Sequence, residues 1–221
     1  MNSGSQKEPG RFITFEGGEG SGKSTQVRLL ADHLRNADYD VLVTREPGGS
    51  PNAEAIRQFL LSGKAEGKGP RAEAMLFTAA RMDHVEQTIR PALEAGTWVL
   101  CDRFMDSTRV YQGMDLDSQT VDLLEKIAVD KTRPDLTILL DLPARLGLQR
   151  ALSRDPDGVK DRFEKEDEAL HEARRQAFLK LAVSEPKRFS VIDASRPSHL
   201  VDSLVWKACR RRFGIRAPMG V

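Results

Sequence analysis

Two cysteines in 221 residues, Cys101 and Cys209, are too few for a disulfide framework or a thiolate zinc site. Cys101 sits inside an apolar run, and both are read as buried free thiols. Long hydrophobic runs are missing as well: no stretch approaches the roughly 20 apolar residues that cross a bilayer. The first ten residues, MNSGSQKEPG, have no apolar centre of the kind a secretory signal carries. Residues 1–10 are therefore read as a disordered leader, and the chain as cytoplasmic with no membrane partner. Charge of one sign is not in excess. With 34 Lys and Arg against 33 Asp and Glu, the formal net charge of +1 supplies no global attraction to nucleic acid, so anions must be bound by local arrangement. The cluster Arg210-Arg211-Arg212 is read as cations at a helix C-terminus, where they are favourable, and no nucleic-acid partner is inferred.

What is present alternates. Five short apolar runs, Phe12 to Phe15, Val41 to Thr44, Trp98 to Cys101, Leu136 to Leu140 and Phe189 to Ile192, read as strands buried on both faces. Helical patterns fall between them, at about 23–36, 52–62, 71–95, 117–130, 143–153, 163–183 and 198–212. Gly96 is placed to end the long third helix, Pro143 suits a first helical turn, and Pro91 should kink the helix it interrupts. Such alternation predicts an α/β fold of three layers, with a five-stranded parallel sheet flanked by helices. Residues 11–213 are expected to form one domain and 214–221 a tail. The charged segment SRDPDGVKD, residues 153–161, reads as a surface loop.

The stretch GGEGSGKS, residues 17–24, spends four glycines where a core would need side chains. It matches Gly-x4-Gly-Lys-Ser and stands between the strand RFITFE and the helix KSTQVRLLADHL, as a P-loop requires. In that reading Gly17, Gly18, Gly20, Ser21 and Gly22 let backbone amides converge on ATP phosphates at a helix N-terminus. Lys23 reaches the β and γ phosphates, the Ser24 hydroxyl ligates Mg²⁺, and Thr25 is a weaker nucleotide contact. An Asn-Lys-x-Asp run of the kind that reads guanine is missing, and the GTPase reading is set aside.

A second anion site is indicated by TREPGG after the second strand and CDRF after the third, because strand carboxyl ends line the ligand crevice of an open parallel sheet. Arg57, on the next helix, and Arg103 are placed to reach a further phosphate. One unit-charge pair at about 4 Å amounts to about 4 kcal/mol at an effective dielectric near 20, so one lysine cannot neutralise two phosphorylated ligands. Asp102 and Asp141, both at strand ends, are the candidates for Mg²⁺; Asp102 is preferred, and Asp141 could instead cap the following helix. In the third helix, Phe77 and Arg81 stand four apart on one face.

FITFEGGEGSGKSTQ, TREPGGS, LFTAAR, CDRF, STRVYQG, PDLTILLDL, DRFEKED and VIDAS occur in the order in which they occur in bacterial thymidylate kinases, and together they resemble that family from residue 12 to about 200. The resemblance implies a P-loop kinase domain with a small lid at about residues 150–162. It implies ATP and dTMP as substrates, Mg²⁺ as cofactor and a homodimer. By the same resemblance Phe77 stacks on thymine, Arg81 donates to its O4 carbonyl, Tyr111 crowds a ribose 2′-hydroxyl, and Thr108 and Gln112 are polar residues around the base. Glu19 matches the acid on the dTMP 3′-hydroxyl, and Arg57 and Arg103 match arginines on its phosphate. Cytosine would set an amino donor against the Arg81 donor and be rejected, whereas dUMP, lacking one methyl, should be a poor but real substrate.

Some members of the family carry a catalytic arginine directly after the P-loop acid; Gly20 stands there in this chain. The resemblance therefore moves that cation to the lid. Arg154 is its match, with Arg150 and Arg196 near the adenine and Lys160 and Arg162 as further lid cations. Catalysis would rest on Lys23, Arg103 and Arg154.

Overall fold

The computed structural model describes residues 10–154 and 167–215. Residues 1–9 of the leader expected at 1–10, and most of the expected lid and tail, lie outside the described residues; Gly10 is described, and its N–H donates to the Leu93 carbonyl at 2.8 Å.

Apolar β-branched and aromatic runs become strands where expected: β1 Phe12–Glu16, β2 Val41–Arg45, β3 Trp98–Asp102, β4 Leu136–Asp141 and β5 Phe189–Asp193. They form one parallel sheet in the order β2-β3-β1-β4-β5. Each strand runs one residue past its expected end, because the terminal polar residue still pairs with a neighbour. Arg45 lies beside Asp102, Glu16 beside Leu139, and Asp141 beside Asp193.

Burial on both faces holds for β1, β3 and β4 only. The strands β2 and β5 are the sheet edges, and Val43 and Val191 are exposed there, a correction to the expectation of five fully buried strands. The chain leaves β1 through α1 Lys23–Arg35 toward β2 on one side, and β4 lies on the other. The carboxyl end of β1 is thus the point where the strand order reverses, and a crevice opens at such a point.

On one face α1 and α9 Ser198–Phe213 bury Val27, Leu30, Leu34, Val201 and Val205 against Ile13, Phe15 and Ile138. On the other, Phe12, Val99 and Phe104 meet Val85 and Ile89, and Leu139 meets Phe178 of α8 Glu168–Ser184. The two cysteines are free and buried. Gly214 ends α9 in the left-handed region, and Arg212 donates to the Asp135 carbonyl at 3.0 Å.

The expected single helix at 71–95 is α3 Pro70–His84, one π-helical turn Val85–Ile89 and α4 Arg90–Glu94. Pro91 has no N–H to offer the Gln87 carbonyl. The widened turn, in which the Arg90 N–H bonds to the Val85 carbonyl, accommodates the ring without ending the helix. Gly96 follows with φ of 80°, stopping it. The other helices near the expected spans are α2 Pro51–Leu61, α6 Ser118–Val129 and α7 Ala144–Arg154. One α-helix among the described residues was not expected: α5 Met105–Tyr111, whose Asp, Ser, Thr and Val content has weak helical preference. It begins at the carboxyl end of β3 and carries part of the site.

Candidate active site

Lys23 opens α1 and is buried, and its ammonium folds back into the loop. It donates to the carbonyls of Gly17 at 3.1 Å and Gly18 at 2.8 Å, and Ser21 Oγ lies at 3.4 Å. Burial holds its pKa below the ordinary value, with Arg103 adding to the effect. The Ser24 hydroxyl donates to Asp102 Oδ2 at 2.6 Å, across two strands' carboxyl ends. Hard oxygens and few protein ligands suit Mg²⁺, which keeps substrate phosphates and waters in its shell. Among the described residues no cluster of three or more His, Cys, Asp or Glu side chains competes for that role.

Gly20 explains why no side chain follows the P-loop acid. Its φ is 66°, and a Cβ there would lie 2.1 Å from the Gly147 carbonyl oxygen of α7. The reverse also holds, since a Cβ on Gly147 would lie 2.3 Å from the Glu19 carbonyl. Loop and helix touch backbone to backbone, and an arginine at position 20 has no room without moving α7.

Arg103 has a φ of 67°, which turns the chain sharply after β3. Its guanidinium donates to the Gly17 carbonyl at 3.2 Å, to Ser107 Oγ at 3.3 Å and, in a short ion pair, to Glu19. Burial opposes ionisation of Glu19, but Arg103, Lys23 and His171 outweigh it and pull its carboxyl down to about 2. Tyr111 has the guanidinium carbons of Arg103 and Arg174 at 5.2 and 4.3 Å from its ring centre. Arg57 donates to the Pro47 carbonyl at 2.7 Å and faces the same cleft.

Arg81 is buried, not a surface cation. Its Nε donates to Glu46 at 2.7 Å, one terminal nitrogen to Thr108 Oγ1 at 2.9 Å and the other to the Phe104 carbonyl at 3.1 Å. Those three bonds use three of its five N–H groups, and the residue lines the cleft. His84 Nδ1 lies 3.1 Å from the second Glu46 oxygen, so that carboxylate is held on both sides. Gln112 donates to Glu73 at 3.2 Å.

One cleft gathers Glu19, Gly20, Gly22, Lys23, Ser24, Thr25, Asp102 and Arg103 with Arg57, Phe77, Arg81, Thr108, Tyr111 and Gln112. Arg150 and Arg196 lie away from it. Arg150 donates to the carbonyls of Ala194 at 2.8 Å and Ser195 at 3.2 Å, and Arg196 pairs with Asp193 at 3.1 Å, so both meet at the loop after β5. Arg154 ends α7, and its side chain, like Lys160 and Arg162, lies outside the described residues. Asp141 is not among the residues lining the cleft, and among the described residues its partner is an arginine. Arg175 of α8 grips both its oxygens, at 2.5 and 3.0 Å.

Sequence reasoning missed Glu46, the buried partner of Arg81, and Glu16, a fully buried acid at the end of β1. The signal for both was an acid directly at an apolar strand end, followed by glycine or proline. His171, whose buried Nε2 has no hydrogen-bond partner among the described residues, carried no local signal at all.

A phosphate-binding loop at the central switch point, opening onto a second cationic pocket in the same cleft, defines a P-loop phosphotransferase of the nucleotide kinase class. The profile of the thymidylate kinase family matches residues 15–205. Thymidylate kinases of Nitrobacter hamburgensis, Bradyrhizobium diazoefficiens and a second Bradyrhizobium are 53, 52 and 50% identical to this chain. The matches span 205, 206 and 206 residues, 92% of this chain in each case and 89, 90 and 91% of those proteins. The crystal structure of thymidylate kinase from Ehrlichia chaffeensis superposes with a TM-score of 0.72 at 33% identity, covering 91% of this chain and 99% of that one. The chain belongs to the thymidylate kinase family.

Proposed function

We propose that this chain transfers the γ-phosphoryl group of ATP to the 5′-phosphate of dTMP, giving dTDP and ADP. The observation that carries the reading is the single cleft shared by Lys23 and Ser24 of the P-loop and by Phe77 and Arg81 of α3. A phosphate oxygen of dTMP attacks the γ-phosphorus, the bond to the β,γ-bridging oxygen breaks, and ADP leaves with that electron pair. The acceptor phosphate is already largely ionised near neutral pH, with its second pKa near about 6, so no general base is assigned. Positioning and charge neutralisation supply the rate.

In this reading the P-loop amides and Lys23 hold the ATP phosphates, and Arg57 and Arg103 hold the acceptor phosphate. Glu19 orients the sugar, Phe77 stacks on the base, and Arg81 reads its O4 carbonyl. Ser24 and Asp102 would hold Mg²⁺, which supplies charge neutralisation on the phosphate oxygens when bound. Arg154 is assigned the lid cation, and Arg150 and Arg196 the adenine side. Exposed Met75 and Met82 on α3 and Leu123 and Ile127 on α6 support a homodimer through that helix pair. A cytoplasmic location fits two cysteines left as thiols.

A coupled assay of ADP release tests the reaction. Release that requires dTMP supports it, and slow hydrolysis of ATP indifferent to any monophosphate contradicts it.

A further inference from the structure

A carboxylate with no exposed surface needs a reason, because burying its charge is costly unless hydrogen bonds replace water. Glu16 is such a group, one residue before the P-loop. Its Oε1 accepts the N–H groups of Phe104 at 2.9 Å and Ser107 at 3.2 Å, and its Oε2 accepts the Ser107 hydroxyl at 2.7 Å. All three donors belong to the turn and first helical residues just after Arg103. A serine hydroxyl has one hydrogen. With that hydrogen committed to Glu16, the lone pairs of Ser107 Oγ are what Arg103 meets at 3.3 Å.

We propose that Glu16 is a positioning residue for dTMP binding: through the Ser107 hydroxyl and the amides of the Arg103 turn, it sets the direction of the Arg103 guanidinium. The inference rests on the reading that Arg103 holds the acceptor phosphate. Arg103 occupies a backbone conformation uncommon for a residue with a side chain, so the turn needs external bonds to hold it. Glu16 supplies two of them, from the strand that also leads into the Gly17 carbonyl contacted by the same guanidinium.

The relay has a direction that depends on a proton. Burial first, and then Asp106 of α5, raise the Glu16 carboxyl to about 7, opposed by Ser107, Arg103 and the Phe104 amide. Asp106 is itself paired with Arg188, at 2.6 and 2.8 Å. Lys23 of α1 and Cys101 of β3 also feel the Glu16 charge. A protonated Glu16 no longer demands the serine hydrogen, and a hydroxyl turned toward Arg103 repels it. Affinity for dTMP therefore falls as pH drops through about 7. The substrate phosphate also takes a proton near about pH 6, so only a comparison of variants separates the two effects.

The test is calorimetric titration of the full chain with dTMP, from about pH 6 to about pH 8.5, for wild type, Glu16→Gln, Ser107→Ala and Arg103→Ala. At about pH 8, Glu16→Gln should weaken dTMP binding about tenfold, the scale of one hydrogen bond to a charged group, with ATP binding unchanged. Its profile should then decline less steeply toward about pH 6 than that of wild type. If Glu16→Gln does not fold, Ser107→Ala, which keeps both backbone N–H bonds to Glu16, should show a similar loss at about pH 8 when measured well below its own melting temperature. Parallel profiles for wild type and Glu16→Gln, or wild-type affinity in Ser107→Ala while Arg103→Ala binds poorly, would overturn the relay. Wild-type dTMP affinity in Arg103→Ala would instead overturn the assignment of Arg103 on which it stands.

Discussion

Lys23 and Arg103 donate to the same atom, the carbonyl oxygen of Gly17, at 3.1 and 3.2 Å. Two cations from the turns after β1 and β3 therefore stand side by side, each disfavouring the other unless an anion lies between or beside them. Burial and Arg103 lower the Lys23 pKa. Burial also works against the Arg103 charge, and Tyr111, Glu19, Asp102 and Glu16 more than restore it. The pair suits two phosphate groups that must approach end to end, one at the P-loop and one at the arginine.

Replacement of Lys23 by alanine removes the P-loop cation while leaving Arg57, Arg103 and the base pocket in place. The expected result is a fall in kcat by about a hundredfold or more, the scale of losing one preorganised donor to the transition state. Binding of dTMP, followed by calorimetry, should stay measurable. An unchanged kcat would remove Lys23 from phosphate binding.

The bond from Ser24 to Asp102 brings together the two oxygens assigned to Mg²⁺. Asp102→Asn keeps the shape and removes the charge. The Mg²⁺ concentration for half-maximal activity should rise about tenfold or more, with saturating metal restoring part of the rate. An activation curve superimposable on that of wild type would assign the metal elsewhere.

Arg81→Ala should act twice. It deletes the donor assigned to the base and leaves the Glu46 carboxylate buried beside His84 without its arginine. Breaking a buried pair in this way costs about 3–5 kcal/mol, so the melting temperature should drop. The ratio of kcat/KM for dTMP over dCMP should fall at the same time. A variant that loses stability but keeps its selectivity would make Arg81 structural only.

Glu185 supplies a pH test away from the cleft. Burial opposes its ionisation, but hydrogen bonds and charge from Arg188 and Arg109 pull its carboxyl down to about 2. Its folded-state pKa lies below the ordinary 4.5, so its contribution is complete above about pH 4.5 and disappears as pH falls through about 2. Glu185→Gln should melt earlier than wild type at neutral pH, and the gap should close between about pH 4.5 and about pH 2. A gap that stays constant with pH would contradict the ion-pair account.

The sheet was legible because continuous apolar runs such as Leu136 to Leu140 have few other uses, and the P-loop because its glycines, lysine and serine sit in one unbroken stretch. Phe77 and Arg81 were legible as neighbours through helical spacing alone. What decides the fate of a charge at a strand end is its distant partner, and spacing does not reveal that. Asp102 and Asp141 look alike along the chain, yet one meets Ser24 and the other Arg175. Arg81 could pass for a surface residue until Glu46 is found beneath it, 35 positions earlier. The π-helical turn was hidden for a related reason: Pro91 announces a lost bond but not how the helix accommodates it. The exposure of β2 and β5 depends on strand order, which periodicity does not carry.

The most direct test is a panel of nucleoside monophosphates incubated with the full chain and Mg·ATP, with diphosphate product separated and quantified. The account predicts dTDP as the main product, a smaller yield from dUMP and none above background from dCMP. Failure to form dTDP, or equal turnover of dTMP and dCMP, would contradict it.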